Sequence, residues 1–358
     1  MDGFEQYGAS ETHMLEGVGG AAAWSTVDSW ALSTTNPATG AYHMRCTAAI
    51  NFSQTMRRAL GQSQQVSGLG YRFALTDLPD EESTSTIGFA AHMTLAEFRD
   101  VSNNHQCWIN LGTEGSVHAL GAGLDHRSDP CIAAGGYHHF ETKGKIANSG
   151  GYVEVRINEV TVLNVTGVDT QTTANAESSQ FRFGMYPQIT NTVSTTMDLD
   201  DVFAWDDDAS DPENTVVDFV GDKGCYYLPV NADTAEADWL KSSGVTGYEL
   251  IDETTPNDAD YIGDSTGAAR SIFQVGALPG NVAEVIAMMP VIRARKEESG
   301  TVNIRGGVVV GAEESYTATN SPSTEYAYMS PTPKTIDPDT GVAWANDADP
   351  SLLIERTA

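Results

Sequence analysis

Basic residues are scarce in this chain: 19 lysines and arginines face 49 aspartates and glutamates over 358 residues, a formal net charge of −30. The sequence is acidic on both sides of residue 214, so the charge belongs to the whole surface and not to a tail. Such a field repels a phosphate backbone and argues against nucleic acid as a partner. It favours solubility, divalent cations and basic partner surfaces. The four cysteines, Cys46, Cys107, Cys131 and Cys225, include no Cys-x-x-Cys pair, so zinc-site spacing is missing and buried free thiols are expected. No apolar run nears the ~20 residues that span a bilayer, so no membrane insertion is expected. The first residues lack a basic segment followed by an apolar stretch, which predicts no signal peptide and synthesis in the cytoplasm. Helical periodicity is also thin. Its best stretches, Thr94 to Arg99 and Thr234 to Lys241, are short.

Strand patterns fill the space that helices leave. Val153, Val155 and Ile157 alternate with Glu154, Arg156 and Asn158, the period-two signature of a half-buried strand. Asn158-Glu159 then reads as a two-residue turn into Val160 to Val165, giving a hairpin. Further strands are expected over Ala41 to Ile50, Gly70 to Leu75, Ser85 to Met93, Gln106 to Leu111, Ser179 to Tyr186 and Met197 to Trp205. Turn clusters such as Asn36-Pro37 and Pro79-Asp80 separate them. Short strands at regular spacing predict an all-β sandwich or jelly roll. The Asp-rich stretch 209–214 reads as an acidic linker between a first domain, 1–208, and a smaller β-domain, 215–358. In the second domain strands are expected over Val216 to Val220, Cys225 to Val230, Ser271 to Val275, Ala283 to Ala294, Thr301 to Val310, Tyr316 to Ala318, Glu325 to Met329 and Leu352 to Glu355. Met289-Pro290 calls for an edge or a bulge, since proline cannot donate to a ladder.

The order Tyr137-His138-His139-Phe140-Glu141, Gly150-Gly151, the hairpin to Gly167, and Leu199-Asp200-Asp201-Val202-Phe203-Ala204-Trp205-Asp206 resembles laminin-G/concanavalin-A-like domains. It resembles more closely those of tailed-bacteriophage and prophage structural proteins. Asp2 to Gly8, Asn231 to Trp239 and Gly247 to Asp252 resemble the same group. The resemblance implies an N-terminal concanavalin-A-like sandwich (jelly roll) followed by a smaller C-terminal sandwich-like domain. It implies a virion protein, tail- or fibre-associated, acting as a homo-oligomer such as a trimer beside other virion proteins, with a role in gripping host surface glycan. A capsid decoration protein is the alternative, and a glycan hydrolase a more distant one.

Residues that carry chemistry do not assemble into a catalytic set, so no enzyme is expected. Paired carboxylates on one strand face would serve a retaining glycosidase. The nearest pattern, Glu154 to Glu159, has Arg156 at its centre and a five-residue spacing that sends its ends to opposite faces. Gly263-Asp264-Ser265-Thr266-Gly267 fits a nucleophile elbow, but that order needs a later histidine and none follows His139. Histidine groupings such as His105 with Cys107, and His138 with His139, lack metal-ligand spacing. Asp198, Asp200, Asp201 and Asp206 form the one cluster with a ligand to offer. Laminin-G-like rims hold Ca²⁺ through loop oxygens, and these carboxylates are the Ca²⁺ candidates. No other cofactor is expected. The tryptophans and tyrosines, among them Trp108, are mostly claimed by a sandwich core, with a sugar-stacking platform as the alternative.

Overall fold

The computed structural model describes residues 26–27, 30–35, 37–38, 43–47, 54–79, 93–185, 195–207, 216, 218–264, 267–297, 299–329 and 333–357. The opening motif at 2–8, the strand expected from Ser85 as far as residue 92, and the acidic stretch 208–215 lie outside them. The chain is all-β. Its described residues form two compact units, residues 26–225 and 226–357.

Fourteen strands build the first unit: β1 (Thr26–Val27), β2 (Ala31–Ser33), β3 (His43–Thr47), β4 (Gln54–Gln64), β5 (Val66–Leu75), β6 (Met93–Arg99), β7 (His105–Leu111), β8 (Val117–Gly121), β9 (Asp125–Arg127), β10 (Tyr137–Lys145), β11 (Gly151–Ile157), β12 (Val160–Val168), β13 (Ser178–Met185) and β14 (Thr196–Asp206). They form two seven-stranded antiparallel sheets, β1-β4-β13-β6-β7-β8-β9 and β12-β11-β10-β5-β14-β3-β2. The β11–β12 hairpin turns at Asn158 and Glu159, both with positive φ (50° and 66°), the backbone of a type I′ turn. Asn158 suits it because its side chain also accepts the His139 N–H at 2.9 Å.

Thr94 to Arg99 forms no helix. It is the centre of the first sheet, β6, paired with β13 and β7. Leu95, Ala96 and Glu97 favour helix, but burial of all seven β6 residues between two partner strands outweighs about 0.5 kcal/mol per residue of local preference.

Aromatic side chains fill the space between the sheets. Tyr71 stacks on Phe183 at 5.2 Å and lies 5.0 Å from Phe140, while Phe98 meets Phe181 edge-on at 4.8 Å. Each ring contributes roughly 1.5–3 kcal/mol by leaving water. The Tyr71 hydroxyl stays satisfied inside the core by donating to the Leu95 carbonyl at 2.6 Å.

The second unit contains β15 (Val230–Ala237), β16 (Leu240–Lys241), β17 (Ile262–Gly263), β18 (Arg270–Val275), β19 (Ile292–Ala294), β20 (Asn303–Val310), β21 (Glu313–Tyr316), β22 (Ala327–Met329) and β23 (Ser351–Thr357). Five of them form the sheet β15-β18-β23-β20-β21. Trp239, Phe273, Ile304 and Ile354 centre its core, and the Trp239 indole donates to the Ile354 carbonyl at 3.1 Å. Thr234 to Lys241 is again strand and not helix. Residues 216 and 218–220 form no strand. The long strand expected over Ala283 to Ala294 shrinks to β19 with an isolated bridge at Met288, because Pro290 falls between them without an N–H to give.

Candidate functional site

Two outer faces flank the sandwich, and they differ in what lies on them. On the first sheet, Phe98, Phe181 and Phe183 point inward, so their strand neighbours Glu97, Arg99 and Arg182 point out. The register then lines up one row across four strands: Arg57, Arg182, Glu97 and Trp108. A second row runs through Thr55, Gly184, Thr94, Asn110, His118 and Arg127. A third places Gln180, Arg99 and His105 side by side.

Two register shifts arrange these groups. One, between Thr94 and Ala96, lets Leu95 bulge while Glu97 stays outward. The other, between Phe98 and Arg99, bulges Gln106, so His105 faces out although Cys107, two residues on, is buried in the core. His105 and Cys107 are therefore parted, and burial pushes the Cys107 thiol far up.

Glu97 is the centre of the face. It has no exposed surface, and Arg99 Nε lies 3.1 Å from its Oε1 while a His105 ring nitrogen touches the same oxygen. A buried carboxylate is tolerable only with partners of this kind. His105 stacks on Trp108 at 5.2 Å with 17° between the planes. Burial, then the charge of Arg182, holds the His105 imidazole below its usual range, which favours the neutral ring at neutral pH. Around them Arg182 Nε donates to Thr55 Oγ1 at 3.0 Å, Thr94 Oγ1 donates to Asn110 Oδ1 at 3.0 Å, and Arg127 Nε donates to Ser116 Oγ at 2.7 Å. The result is a pre-positioned row of planar guanidinium, amide, hydroxyl and indole groups on a rigid strand floor.

The second sheet's outer face is covered by the chain itself. Residues 218–225 cross it as a strap. Glu141, wholly buried, accepts the Val220 and Gly221 N–H groups, the latter at 3.1 Å. Lys143 pairs with Asp218 at 2.7 Å and Arg72 with Asp222 at 2.7 Å. The Phe219 ring lies 3.7 Å below the Arg156 guanidinium. His138 and His139 point to opposite faces: His138 meets Phe73 of the core, and His139 stacks on Phe203 outside it.

This face also holds the expected Ca²⁺ candidates. Asp198 binds Arg45 at 2.6 Å and lies 3.2 Å from His43. Asp200 accepts the Ala38 N–H at 3.0 Å. Asp201 binds Arg72 at 3.0 Å and accepts the Cys225 N–H. Asp206 ends β14. Cations and backbone donors thus occupy these carboxylates, and no group of three or more metal-ligating side chains forms among the described residues. Glu154 instead serves Arg156 and Thr161, and Glu159 sits in the hairpin turn with the Asp222 N–H, so this pair does not meet.

Arg57, Arg182, Glu97 and Arg99 were missed in the sequence because Thr94 to Arg99 reads first as helix.

No protein-family model matches the chain, and no curated protein is similar to it in sequence. Solved structures are similar in fold. The cellulose-induced protein Cip1 is 16% identical over 49% of this chain and 84% of its own, with a TM-score of 0.37. Alginate lyase Aly36B is 13% identical over 48% and 85%, with a TM-score of 0.34. A Trypanosoma rangeli sialidase is 9% identical over 49% and 26%, with a TM-score of 0.32. Two expectations change beside these findings. The tail, fibre or decoration role of a phage virion protein is withdrawn: the structures found are named as a cellulose-induced protein, an alginate lyase and a sialidase. The expectation of no enzyme is withdrawn with it, as the structures found include an alginate lyase and a sialidase.

Proposed function

We propose that the outer face of the first sheet is a polysaccharide-binding face. One observation carries this reading: the aligned row Arg57, Arg182, Glu97 and Trp108, with His105 stacked on the indole. Sugar rings need an aromatic plane for their C–H faces and fixed donors and acceptors for their hydroxyls. Trp108 with His105, both part-exposed, supplies the first, and the part-exposed Arg57 and Arg182 with the exposed Arg127 supply the second. Held on central strands, these groups lose little entropy on binding a chain laid across them. The second sheet offers no such floor, since the strap occupies it.

Affinity electrophoresis of the full chain through gels containing soluble polysaccharides tests the reading, with release of reducing ends and unsaturated products followed in parallel. Retardation by at least one polysaccharide that Trp108→Ala abolishes, with an unchanged melting temperature, supports it. Retardation untouched by Trp108→Ala and by Arg127→Gln places binding elsewhere and overturns it.

A further inference from the structure

The geometry points to a pH-sensitive cover: residues 218–225 lie closed over the outer face of the second sheet at neutral pH, and protonation of His139 beneath them releases them. This device belongs to the opposite face of the sandwich and does not depend on the polysaccharide-binding reading. His139 points outward from β10, yet it is only 3% exposed. Neither of its ring nitrogens has a hydrogen-bond partner. A buried polar group without a partner carries a cost that water would remove. Asp222 of the strap faces the ring, so the strap stands between it and water.

The surroundings of the ring suit its neutral form. Arg72 of β5, Glu159 of the hairpin turn and Asp222 of the strap are the charges that face it, and β14 stacks the Phe203 ring against it. Both acids are engaged: Asp222 binds Arg72 at 2.7 Å, and Glu159 accepts the Asp222 N–H at 3.1 Å. A proton on His139 would add a cation beside Arg72 in a site with little water. Burial, which outweighs the two carboxylates, holds the imidazole below its usual range while the cover is closed. Once the cover opens, the ring returns to an ordinary value of about 6.5. The closed form therefore keeps its full stability above a pH of about 6.5 and loses it as pH falls below that. Glu141, raised by burial, works in the opposite direction, so opening on acidification does not come from it. Asp218, held down by Lys143, works in the same direction as His139, but only below the ordinary carboxylate value of about 4.

The strap can leave without unfolding the sandwich. No residue of 218–225 belongs to a strand. Its ion pairs are wet, with Asp218 68% and Asp222 44% exposed at the side chain, and such pairs hold weakly. Phe219 rests on the Arg156 guanidinium and not in the core between the sheets. The sheet below keeps its own ladder, β12-β11-β10-β5-β14, to which the strap adds no strand. Segments of this kind open at far less than the cost of global unfolding. Opening presents Glu141, Arg72, Lys143 and Arg156 beside the Phe203 ring, a second face that the chain withholds at neutral pH.

Hydrogen exchange of the full chain tests this, read by mass spectrometry on peptides covering 218–225 and corrected for the intrinsic pH dependence of exchange. With an open-form value of about 6.5 and a closed ring that stays neutral, protection there should fall about tenfold between pH 7.5 and pH 5.5. Peptides from β6 should keep their protection over the same range. His139→Phe keeps an aromatic ring against Phe203, removes both nitrogens and should abolish the fall. Should that variant fail to fold, the pH at which wild-type protection begins to drop decides the matter. An onset at about 6.5 supports the inference, and one at or below about 4.5 assigns opening to carboxylates and overturns it. Protection that stays flat from pH 7.5 to pH 5.5, or a fall that survives His139→Phe, overturns it as well.

Discussion

Gly70 and Gly68 on β5 lie beneath two aromatic rings of β14, and replacing Gly70 by alanine sets two effects of opposite sign against each other. A Cβ on Gly70 would stand 2.2 Å from Phe203 Cζ, with two further ring atoms at 2.6 and 2.8 Å. The φ of Gly70 is not positive, so alanine is allowed there and would stabilise by about 0.4–1 kcal/mol through the unfolded chain. The ring must move, however, and Phe203 is 6% exposed with His139 stacked against it at 6.2 Å. Overpacking of such a site costs about 1–3 kcal/mol. The clash wins, for a net loss near 1–2 kcal/mol, or a Tm lowered by roughly 2–8 °C in a unit of this size. Scanning calorimetry checks this, with Gly136→Ala as control because nothing lies within 4 Å of its Cβ. Gly70→Ala matching or exceeding the stability of Gly136→Ala would refute the reasoning. So would a Gly70→Ala loss that Phe203→Leu in the same chain fails to relieve.

Other expectations follow from the same packing. Tyr71→Phe removes the hydroxyl that serves the Leu95 carbonyl and should cost about 1–2 kcal/mol in urea unfolding. Burial pushes the Tyr71 hydroxyl well above its usual range, so its contribution is complete below the unfolded value near 10 and is lost as pH rises past it; Tyr71→Phe should flatten the alkaline fall in stability. Burial alone would raise the Asp198 carboxyl, but Arg45 and His43 hold it below its usual range. Its stabilisation is therefore present above the unfolded value near 4 and lost as pH falls below it, and Asp198→Asn should remove part of the acid sensitivity measured by circular dichroism. Since the acidic cluster is already engaged, millimolar Ca²⁺ or EDTA should leave the Tm unchanged, and a shift of several degrees would contradict that account. Glu141→Gln presents a donor amide to the Val220 or Gly221 N–H, so trypsin should cut after Lys223 several times faster than in the parent chain.

The strands with one wet face were legible because their alternation survives in the letters. Val153-Glu154-Val155-Arg156-Ile157 and its Asn158-Glu159 turn are the plainest case. β6 was not, since a central strand covered on both faces carries no clean alternation, and Ala96-Glu97 locally favours helix. The candidate face was hidden for a related reason. Arg57, Arg182 and Trp108 are separated by tens of residues and meet only through the β4-β13-β6-β7 register, which depends on bulges at Leu95 and Gln106 that no local pattern announces. His105 and Trp108 stood out as residue types, but their partners did not. The Asp198 to Asp201 cluster was visible as letters, but Arg45 and Arg72, drawn in from other strands to its carboxylates, were not.

The strap over the second sheet fixes where this polypeptide can be cut. Everything up to Cys225 is fastened to the first unit through Glu141, Arg72, Lys143 and Asp201. A fragment stopped at residue 207 would lose those fastenings and open Glu141, His139 and Phe203 to water, a surface prone to self-association. A fragment carried through Cys225 keeps its own cover, and is the unit to express when the outer face of the first sheet is to be studied alone.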